Sequence, residues 1–335
     1  MWIGLIVLVG LPVALVVLGL LFILHIYVRY IENLARIFEE KPLFIIPRGE
    51  PVPGGEEVRF PTGDGLTLHG CYLRTTARRR GVILFGLEFG SNCWSCQPYC
   101  EHLVANGFDV FAFEPRSQGG SDGQPGYEPL QWVTNYEVRD TQAALAYLKG
   151  RGDADPCGIG FFGISKGGGA GLLAAARDPY VRCFVTDGIF GTHTTMVPYM
   201  RKWISLYSDR YHLQVLAPDW LYGIVAQAAL ARIGRARGCR FPHLERALAK
   251  LAPRPLLMIH GGADTYIKPE MARALFDRVG QSKEFWLVEG AKHNQALNIA
   301  GDEYRRRVLE FFQKHLPEQA QPSPVHALAF SLHSP

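Results

Sequence analysis

The stretch CGIGFFGISKGGGAGLLAA, residues 157–175, decides the fold. An apolar run leads into a segment in which one serine, Ser165, stands between Gly163 and Gly167, and more glycines follow. Because glycine lowers the stability of a regular element, the cluster indicates a special backbone geometry or a close approach that side chains would block. The order strand, sharp turn and helix fits the pattern G-x-S-x-G, in which a strained turn lifts the serine hydroxyl above a sheet. The sequence therefore predicts Ser165 as a nucleophile.

Apolar runs alternate with helical patterns on both sides of this stretch. A hairpin pattern around a Gly-Asp-Gly turn covers 56–76. Further strands are predicted within 81–90, 108–116, 157–165, 181–190, 254–264 and 283–293, and helices within 94–106, 129–150, 167–177, 269–279 and 302–315. This alternation predicts an α/β fold with a mostly parallel sheet and helices on both faces. Ligands bind beyond the carboxyl ends of the strands in such sheets.

Two further polar residues end predicted strands. A serine hydroxyl needs a base within hydrogen-bond reach, and the base needs an acid that orients it. Asp264 and His293 follow Ser165 in the order that this kind of sheet uses. His260 competes as the base, but it precedes the turn at Asp264 and is expected to support that loop. The sequence predicts Ser165, His293 and Asp264 as nucleophile, base and acid.

With serine, aspartate and histidine at three strand ends, the chain resembles the α/β-hydrolase superfamily. The resemblance covers 56–316 and includes the pattern DG..LHG.Y near the start and GGADTYIKPEMA near the end. It implies an α/β-hydrolase fold, an ester or thioester substrate in preference to an amide, and no cofactor. Some members take the acid from an earlier strand, so Asp187 is an alternative to Asp264.

Two backbone amides are predicted to bind the oxyanion of the acyl-transfer intermediate. One is the N–H of Lys166, directly after the nucleophile and at a helix N-terminus. In related hydrolases the residue after a His-Gly pair donates the second amide. This chain has Phe85-Gly86 there, so Leu87 is the favoured donor and Glu88 the second choice.

A carboxylate at Glu88 would oppose the negative charge of the oxyanion unless it pointed away or were paired. Arg116 and Lys166 are the partners expected for it, since both follow neighbouring strand ends. Glu88 is also expected to shape the substrate pocket.

The first 28 residues contain no charged side chain. About 20 apolar residues cross a bilayer as a helix, so residues 1–28 are predicted to be a transmembrane helix. A cleaved signal peptide is the alternative, but no basic region precedes the run and no A-x-A site follows it. Arg29, Arg36, Lys41 and Arg48 follow the span, which places the catalytic domain in the cytoplasm by the positive-inside tendency.

The rest of the chain divides into five segments. Residues 29–54 are a juxtamembrane linker, 55–190 and 251–316 form the hydrolase core, 191–250 is an inserted helical cap, and 317–335 is a flexible tail. The cap is rich in aromatic residues, and Trp203, Tyr207 and Trp220 are predicted to line the acyl pocket together with Glu88. The net charge of +4 is small for 335 residues, and basic clusters do not alternate with aromatics, so no nucleic-acid partner is expected.

Three of the seven cysteines, Cys93, Cys96 and Cys100, lie close together, and His102 is near. This spacing is compatible with a zinc site, but the cysteines are expected to pack in a helix, and no metal is predicted. The odd number of cysteines favours reduced thiols over a disulfide scaffold. The chain is thus predicted to be a membrane-anchored serine hydrolase for a small acyl substrate. The alternatives are an acyltransferase with the same triad and a non-catalytic binding module on the same fold.

Overall fold

The structure is a computed structural model that describes residues 2–40, 46–207 and 218–316. The predicted tail 317–335 and the side chain of Tyr207 lie outside the described part. The strands are β1 Gly55–Pro61, β2 Thr67–Leu73, β3 Gly81–Gly86, β4 Phe108–Phe113, β5 Ile159–Ile164, β6 Val181–Asp187, β7 Leu256–Gly261 and β8 Lys283–Val288. The helices are α1 Trp2–Glu39, α2 Gln97–Ala105, α3 Asn135–Gly150, α4 Ser165–Ala175, α5 Thr192–Tyr207, α6 Asp219–Arg237, α7 Leu244–Leu248, α8 Pro269–Phe276 and α9 Ala296–His315.

The eight strands form one sheet in the order β1-β2-β4-β3-β5-β6-β7-β8. β1 pairs antiparallel with β2, and β2 with β4, whereas all the other neighbours are parallel. β3, β4, β5 and β7 are buried along their whole length because helices cover both faces of the sheet. The predicted α/β-hydrolase fold with a mostly parallel sheet is confirmed.

Helix ends follow local capping and glycine signals. The helix predicted from residue 129 begins at Asn135, because Thr134 and Glu137 form a capping box there. α9 starts at Ala296, six residues before its predicted start, and it contains the non-helical Gly301, with φ of 50°. The helical pattern of the sequence predicts only the part of α9 that lies beyond this glycine.

Neighbouring aromatic residues of β5 face opposite sides of the sheet. Phe161 belongs to the core under α3 and α4, and Phe162 to the core under α2 and α9. The Phe161 ring fills the space below α4 so closely that a Cβ on Gly171 would lie 1.8 Å from it. This close approach explains one of the glycines after Ser165, because α4 rests directly on the sheet.

α1 is one continuous helix that passes the predicted boundary at residue 28. Residues Val9–Glu39 are long and apolar enough to cross a membrane, by length and composition. Residues Ile31, Leu34, Ala35 and Phe38 are buried at the spacing of one helical face and pack in a cluster with α5 and α6. The carboxyl-terminal part of α1 is therefore packed against α5 and α6.

Candidate active site

Ser165 occupies a strained turn at the carboxyl end of β5. It is the first residue of α4, and its φ of 49° lies in the left-handed region that residues with a Cβ rarely adopt. A Cβ on Gly163 would lie 2.5 Å from the Cα of Gly168, and a Cβ on Gly167 would lie 2.2 Å from the carbonyl oxygen of Leu87. The glycines on both sides of the serine are thus required by backbone approach, which is what the sequence pattern predicted.

Ser165, His293 and Asp264 form a continuous chain of short polar contacts. Ser165 Oγ lies 3.0 Å from His293 Nε2, and His293 Nδ1 lies 2.6 Å from Asp264 Oδ2. Each residue comes from the carboxyl end of a different strand, so the parallel sheet brings together residues 128 positions apart. With this arrangement His293 can take the hydroxyl proton of Ser165 while the carboxylate holds the other ring nitrogen.

The loop after β7 fixes the orientation of the Asp264 carboxylate. Its second oxygen, Oδ1, accepts hydrogen bonds from the backbone N–H groups of Tyr266 and Ile267, at 2.8 and 2.9 Å. His260 lies below the same loop, fully buried, with its Nε2 2.8 Å from the carbonyl oxygen of Ile267. Burial lowers the pKa of His260. His260 therefore holds the loop, as the sequence predicted, and Asp264 presents one free edge to His293.

Asp187, the alternative acid, makes a different contact. Its Oδ2 accepts a hydrogen bond from the Tyr304 hydroxyl at 2.9 Å. Burial raises the pKa of Asp187 to about 7, and the Tyr304 hydrogen bond only partly opposes this. Of the two aspartates, Asp264 is the one with an oxygen at hydrogen-bond distance from His293 Nδ1.

The two backbone segments that carry the predicted oxyanion donors are in direct contact. Lys166 lies in the first turn of α4, where backbone N–H groups have no intrahelical acceptor. The next residue, Gly167, is in direct contact with Gly86 and Leu87 at the end of β3: a Cβ on Gly167 would lie 2.4 Å from the carbonyl carbon of Gly86. The two chain segments that carry the predicted donors, Lys166 and Leu87, therefore lie side by side.

The side chain of Lys166 is buried and paired. Its Nζ donates to Glu137 Oε1 at 2.7 Å and to the carbonyl oxygen of Leu130 at 2.6 Å. Burial alone would raise the pKa of Glu137, but the Lys166 ammonium and the hydroxyls of Tyr127 and Thr134 outweigh burial and lower it. This ion pair fixes the first turn of α4 against α3.

The predicted pairing of Glu88 with Arg116 or Lys166 is wrong. Both cations are directed toward α3, where Lys166 meets Glu137 and Arg116 meets Asp140, with 2.9 Å between Arg116 Nε and Asp140 Oδ1. Glu88 is turned the other way, to the loop after β8. Its Oε2 accepts a hydrogen bond from Asn294 Nδ2 at 2.7 Å, and burial raises its pKa.

A narrow cavity of about 30 Å³ lies above Ser165 and His293. Its walls are mostly aromatic or apolar: Phe89, Gln131, Trp132, Phe190, Tyr199, Tyr266 and Ile267 line it with the two catalytic candidates. None of these seven residues was predicted from the sequence to line the pocket. Phe89, Phe190, Tyr266 and Ile267 follow strands β3, β6 and β7, so the strand-end rule applied more widely would have found them.

Three of the four residues that were predicted to line the pocket, Glu88, Trp203 and Trp220, lie elsewhere. The ring of Trp203 packs against Tyr199, at 5.9 Å between the centroids, one layer away from the cavity. Trp220 lines a separate groove between α5 and α6, and Glu88 lines a second small cavity beside Lys166. Tyr207, as noted, has no described side chain.

The clustered cysteines are buried in the core under α2. Among the described residues, the ligand atoms of His69, Cys93 and Glu114 lie within 4.8 Å of one another. The Glu114 carboxylate, however, accepts hydrogen bonds from the backbone N–H groups of Cys93 and Gly120 and lies 3.0 Å from His69 Nδ1. Its oxygens already satisfy donors of the fold. The ring of His102 is buried elsewhere on α2, and burial lowers its pKa to about 4.

Comparison with known proteins finds a matching family model and several relatives. A family model described as "Alpha/beta hydrolase family" matches residues 66–308. The acyltransferase drtE of Aspergillus calidoustus is 34% identical over 304 residues, which cover 79% of this chain and 93% of that protein. The uncharacterized protein YfhR of Escherichia coli is 24% identical over 271 residues, 79% of this chain and 82% of YfhR.

Solved structures show the same fold. The Pyrococcus furiosus esterase Pf2001 superimposes with a TM-score of 0.59 at 22% identity, over 83% of this chain and all of that chain. The α/β hydrolase GrgF from Penicillium gives a TM-score of 0.60 at 20% identity, over 79% of this chain and 99% of that chain. At this identity the likeness concerns the fold.

Proposed function

Because the chain belongs to the alpha/beta hydrolase family, we propose that it is a membrane-anchored serine hydrolase that cleaves an ester or thioester. The observation that carries the proposal is the chain of contacts from Ser165 Oγ through the His293 ring to Asp264, at 3.0 and 2.6 Å. A strained serine at a strand end, a ring nitrogen within reach and a doubly anchored carboxylate are the parts that activate a serine for acyl transfer.

The proposed reaction passes through an acyl-enzyme. His293 Nε2 takes the proton of Ser165 Oγ as the oxygen attacks the acyl carbonyl carbon, and the backbone N–H groups of Lys166 and Leu87 bind the oxyanion. The tetrahedral intermediate then collapses, and His293 returns the proton to the leaving alcohol or thiol. Water, deprotonated by His293, attacks the acyl-enzyme, and His293 then returns this proton to Ser165 Oγ as the carboxylic acid is released. Asp264 stabilises the imidazolium in both halves.

The cavity supports an apolar acyl group as the bound part of the substrate. Phe89, Trp132, Phe190 and Tyr199 surround the space next to Ser165. A volume of about 30 Å³ holds about one water molecule, so a longer acyl chain requires α5, which carries Tyr199, to move outward.

α1 supports attachment to a bilayer. Its apolar part is long enough to span, and the basic residues Arg29 and Arg36 follow it within the same helix. The proposed topology is a single span with the catalytic domain in the cytoplasm, which gives the enzyme access to lipid-like esters.

A fluorophosphonate probe tests the proposal on the full chain in detergent. Labelling is expected for the wild type and is expected to be lost in Ser165→Ala and His293→Ala. Ser282→Ala is the matched control, since Ser282 also has a positive φ, 67°, but is exposed before β8. A folded wild type without labelling would favour a non-catalytic binding role. Labelling of Ser165→Ala would show that Ser165 is not the nucleophile.

Acyl transfer to an acceptor other than water is the second candidate function. The relative from Aspergillus calidoustus, which is named an acyltransferase, favours it. The same acyl-enzyme would serve, with an alcohol or thiol in place of water. Product analysis with and without added alcohols and thiols separates the two functions, because a transferase forms the new ester faster than the free acid.

A further inference from the structure

The membrane-span helix and the cap helix α6 run in the same direction. Glu32 of α1 pairs with Arg232 of α6, and Glu39 pairs with Arg237, at 3.0 Å in the second pair. The paired residues therefore follow the same order along α1 and α6, which makes the two helices parallel. The N-terminal end of α6 is therefore directed toward the apolar part of α1.

Helix geometry gives the depth of that end. Trp220 lies 12 residues before Arg232, which corresponds to about 18 Å along a helix, and Ile224 lies about 12 Å before it. The same steps back from Glu32 reach Leu20 and Leu24, inside the apolar stretch of α1. The start of α6 is thus level with residues that enter the bilayer if α1 spans it.

α5 reaches the same level from the opposite direction. Its contacts with α6 are antiparallel: Arg201 pairs with Asp219 at 2.7 Å, and His193 contacts Gln227. The carboxyl end of α5, with Leu206, consequently lies at the end of the cap where α6 begins.

This end of the cap is unusually apolar. Outside α1, six large apolar side chains are exposed among the described residues, and three of them are Leu206, Trp220 and Ile224, with 64, 62 and 47% of their surface exposed. Trp is typical of the membrane–water interface, where its ring meets both media.

We propose that the end of the cap formed by Leu206, Trp220 and Ile224 inserts into the bilayer that α1 enters, and that the groove between α5 and α6 accommodates an acyl chain of a membrane lipid. The inference rests on the anchored hydrolase proposed above and names its substrate class, an acyl ester taken directly from the membrane. The bilayer is the partner because this end of the cap is continuous with the apolar span of α1.

The groove has the size and lining that an acyl chain needs. Its volume is about 440 Å³, within the range of ligand pockets, and it is lined by His193, Met196, Val197, Trp220, Gly223, Ile224 and Gln227. α5 is the common wall of the groove and of the cavity above Ser165, since Met196 and Val197 face one and Tyr199 faces the other. A chain in the groove is thus about one helix diameter, roughly 10 Å, from the catalytic cavity.

Depth-dependent quenching tests the inserted surface. The full chain, in a Cys157→Ser background that removes the exposed native thiol, is labelled with an environment-sensitive fluorophore at Ile224→Cys or Trp220→Cys and placed in vesicles of phosphatidylcholine and phosphatidylserine. Lipids with a nitroxide on the acyl chain are expected to quench both positions as strongly as Leu18→Cys in α1. Ile299→Cys is the matched control, an exposed apolar residue of α9, and is expected to stay bright.

The outcomes separate this inference from the proposal on which it rests. Quenching at Leu18→Cys with none at positions 220 and 224 overturns the inserted cap and leaves the anchor intact. No quenching at Leu18→Cys overturns the anchor and the inserted cap together. Cross-linking of Ile224→Cys between two copies, without quenching, overturns the inference in favour of a dimer interface.

Kinetics test the substrate class. Ile224→Glu is expected to raise KM for a long-chain ester in vesicles about tenfold, because a charge replaces apolar contact with lipid. The kcat/KM for a water-soluble short-chain ester is expected to stay within twofold, and Ile299→Glu is expected to change neither value. Ile224→Gln, a milder change, is expected to give a smaller rise in the same direction. An unchanged KM, or an equal loss on both substrates, overturns the inference, whereas inactivity of the wild type on both esters refutes the hydrolase itself.

Discussion

Glu88 accepts a hydrogen bond from the side-chain amide of Asn294, with 2.7 Å between Oε2 and Nδ2. The bond joins the loop after β3, which carries a predicted oxyanion donor, to the loop that carries His293. Glu88 is 6% exposed, and burial raises its pKa while the Asn294 hydrogen bond and the neighbouring His293 oppose that rise. One side chain therefore couples the oxyanion side of the site to the base.

Glu88→Gln and Glu88→Leu separate the two effects of this bond. Gln keeps an acceptor for Asn294 but removes the negative charge near His293, so the acid limb of the kcat/KM profile is expected to move to lower pH with little loss of the maximal rate. Leu also leaves the Asn294 amide without its acceptor and is expected to lower kcat about tenfold, the range of one lost buried hydrogen bond. The measurement is kcat/KM from pH 5 to 9; identical profiles for wild type and Gln would make the carboxylate charge irrelevant.

Asp264→Asn and Asp187→Asn test which aspartate orients the base. Asn at 264 places a neutral side-chain amide, instead of a carboxylate, opposite His293 Nδ1. This change is expected to lower kcat about 10⁴-fold, as loss of the buried acid does in serine proteases. Asn at 187 can still accept the Tyr304 hydrogen bond and is expected to keep kcat within about tenfold. Rates of ester hydrolysis for both variants decide between them, and a larger loss at 187 would reverse the assignment.

The alternation of elements and the three strand ends were readable from sequence because they rest on local patterns and on one property of parallel sheets. The walls of the site were not. Trp132 and Tyr199 line the cavity above Ser165 from the loop before α3 and from α5, and a helical pattern does not show which of its residues face the site. The partner of Glu88 depends on the directions of the Lys166 and Arg116 side chains. Tertiary packing directs the Lys166 and Arg116 side chains toward α3. Charge and strand position alone therefore predicted the wrong partner for Glu88.

Gly167→Ala tests the contact between α4 and the end of β3. The added Cβ would meet the backbone of Gly86 and Leu87 at 2.2–2.4 Å, so the loop after β3 must shift. Displacement of one oxyanion donor is expected to lower kcat by about 10²–10³ with little change in KM. Gly169→Ala is the matched control, since its nearest atom is a Val133 methyl at 3.2 Å. Comparable rates for the two variants would exclude a donor at this loop.

Lys166→Met tests the buried ion pair under the first turn of α4. It leaves the Glu137 carboxylate buried without its cation, which is expected to destabilise the fold by about 3–5 kcal/mol. Glu137→Gln added to Lys166→Met removes the unpaired charge and is expected to restore part of the loss. Thermal unfolding in detergent measures both variants, and a double variant less stable than Lys166→Met would contradict the pairing.

Asp187→Asn tests the buried carboxyl behind the site through the pH dependence of stability. Burial raises the pKa of Asp187 in the folded protein to about 7, above its ordinary value of 3.8. A raised pKa means that the folded state holds the proton more tightly, so this stabilisation is complete below about pH 4 and is lost as the pH rises through 7. Wild type is therefore expected to lose stability relative to Asp187→Asn between pH 4 and 7, by up to about 1.4 kcal/mol per pH unit, and to lose no more above about pH 8. The midpoints of thermal unfolding of both proteins in detergent at pH 4.5, 6 and 8 give the difference. Parallel midpoints across this range would mean that Asp187 is ionised in the folded protein at all three pH values, held so by Tyr304 and His293.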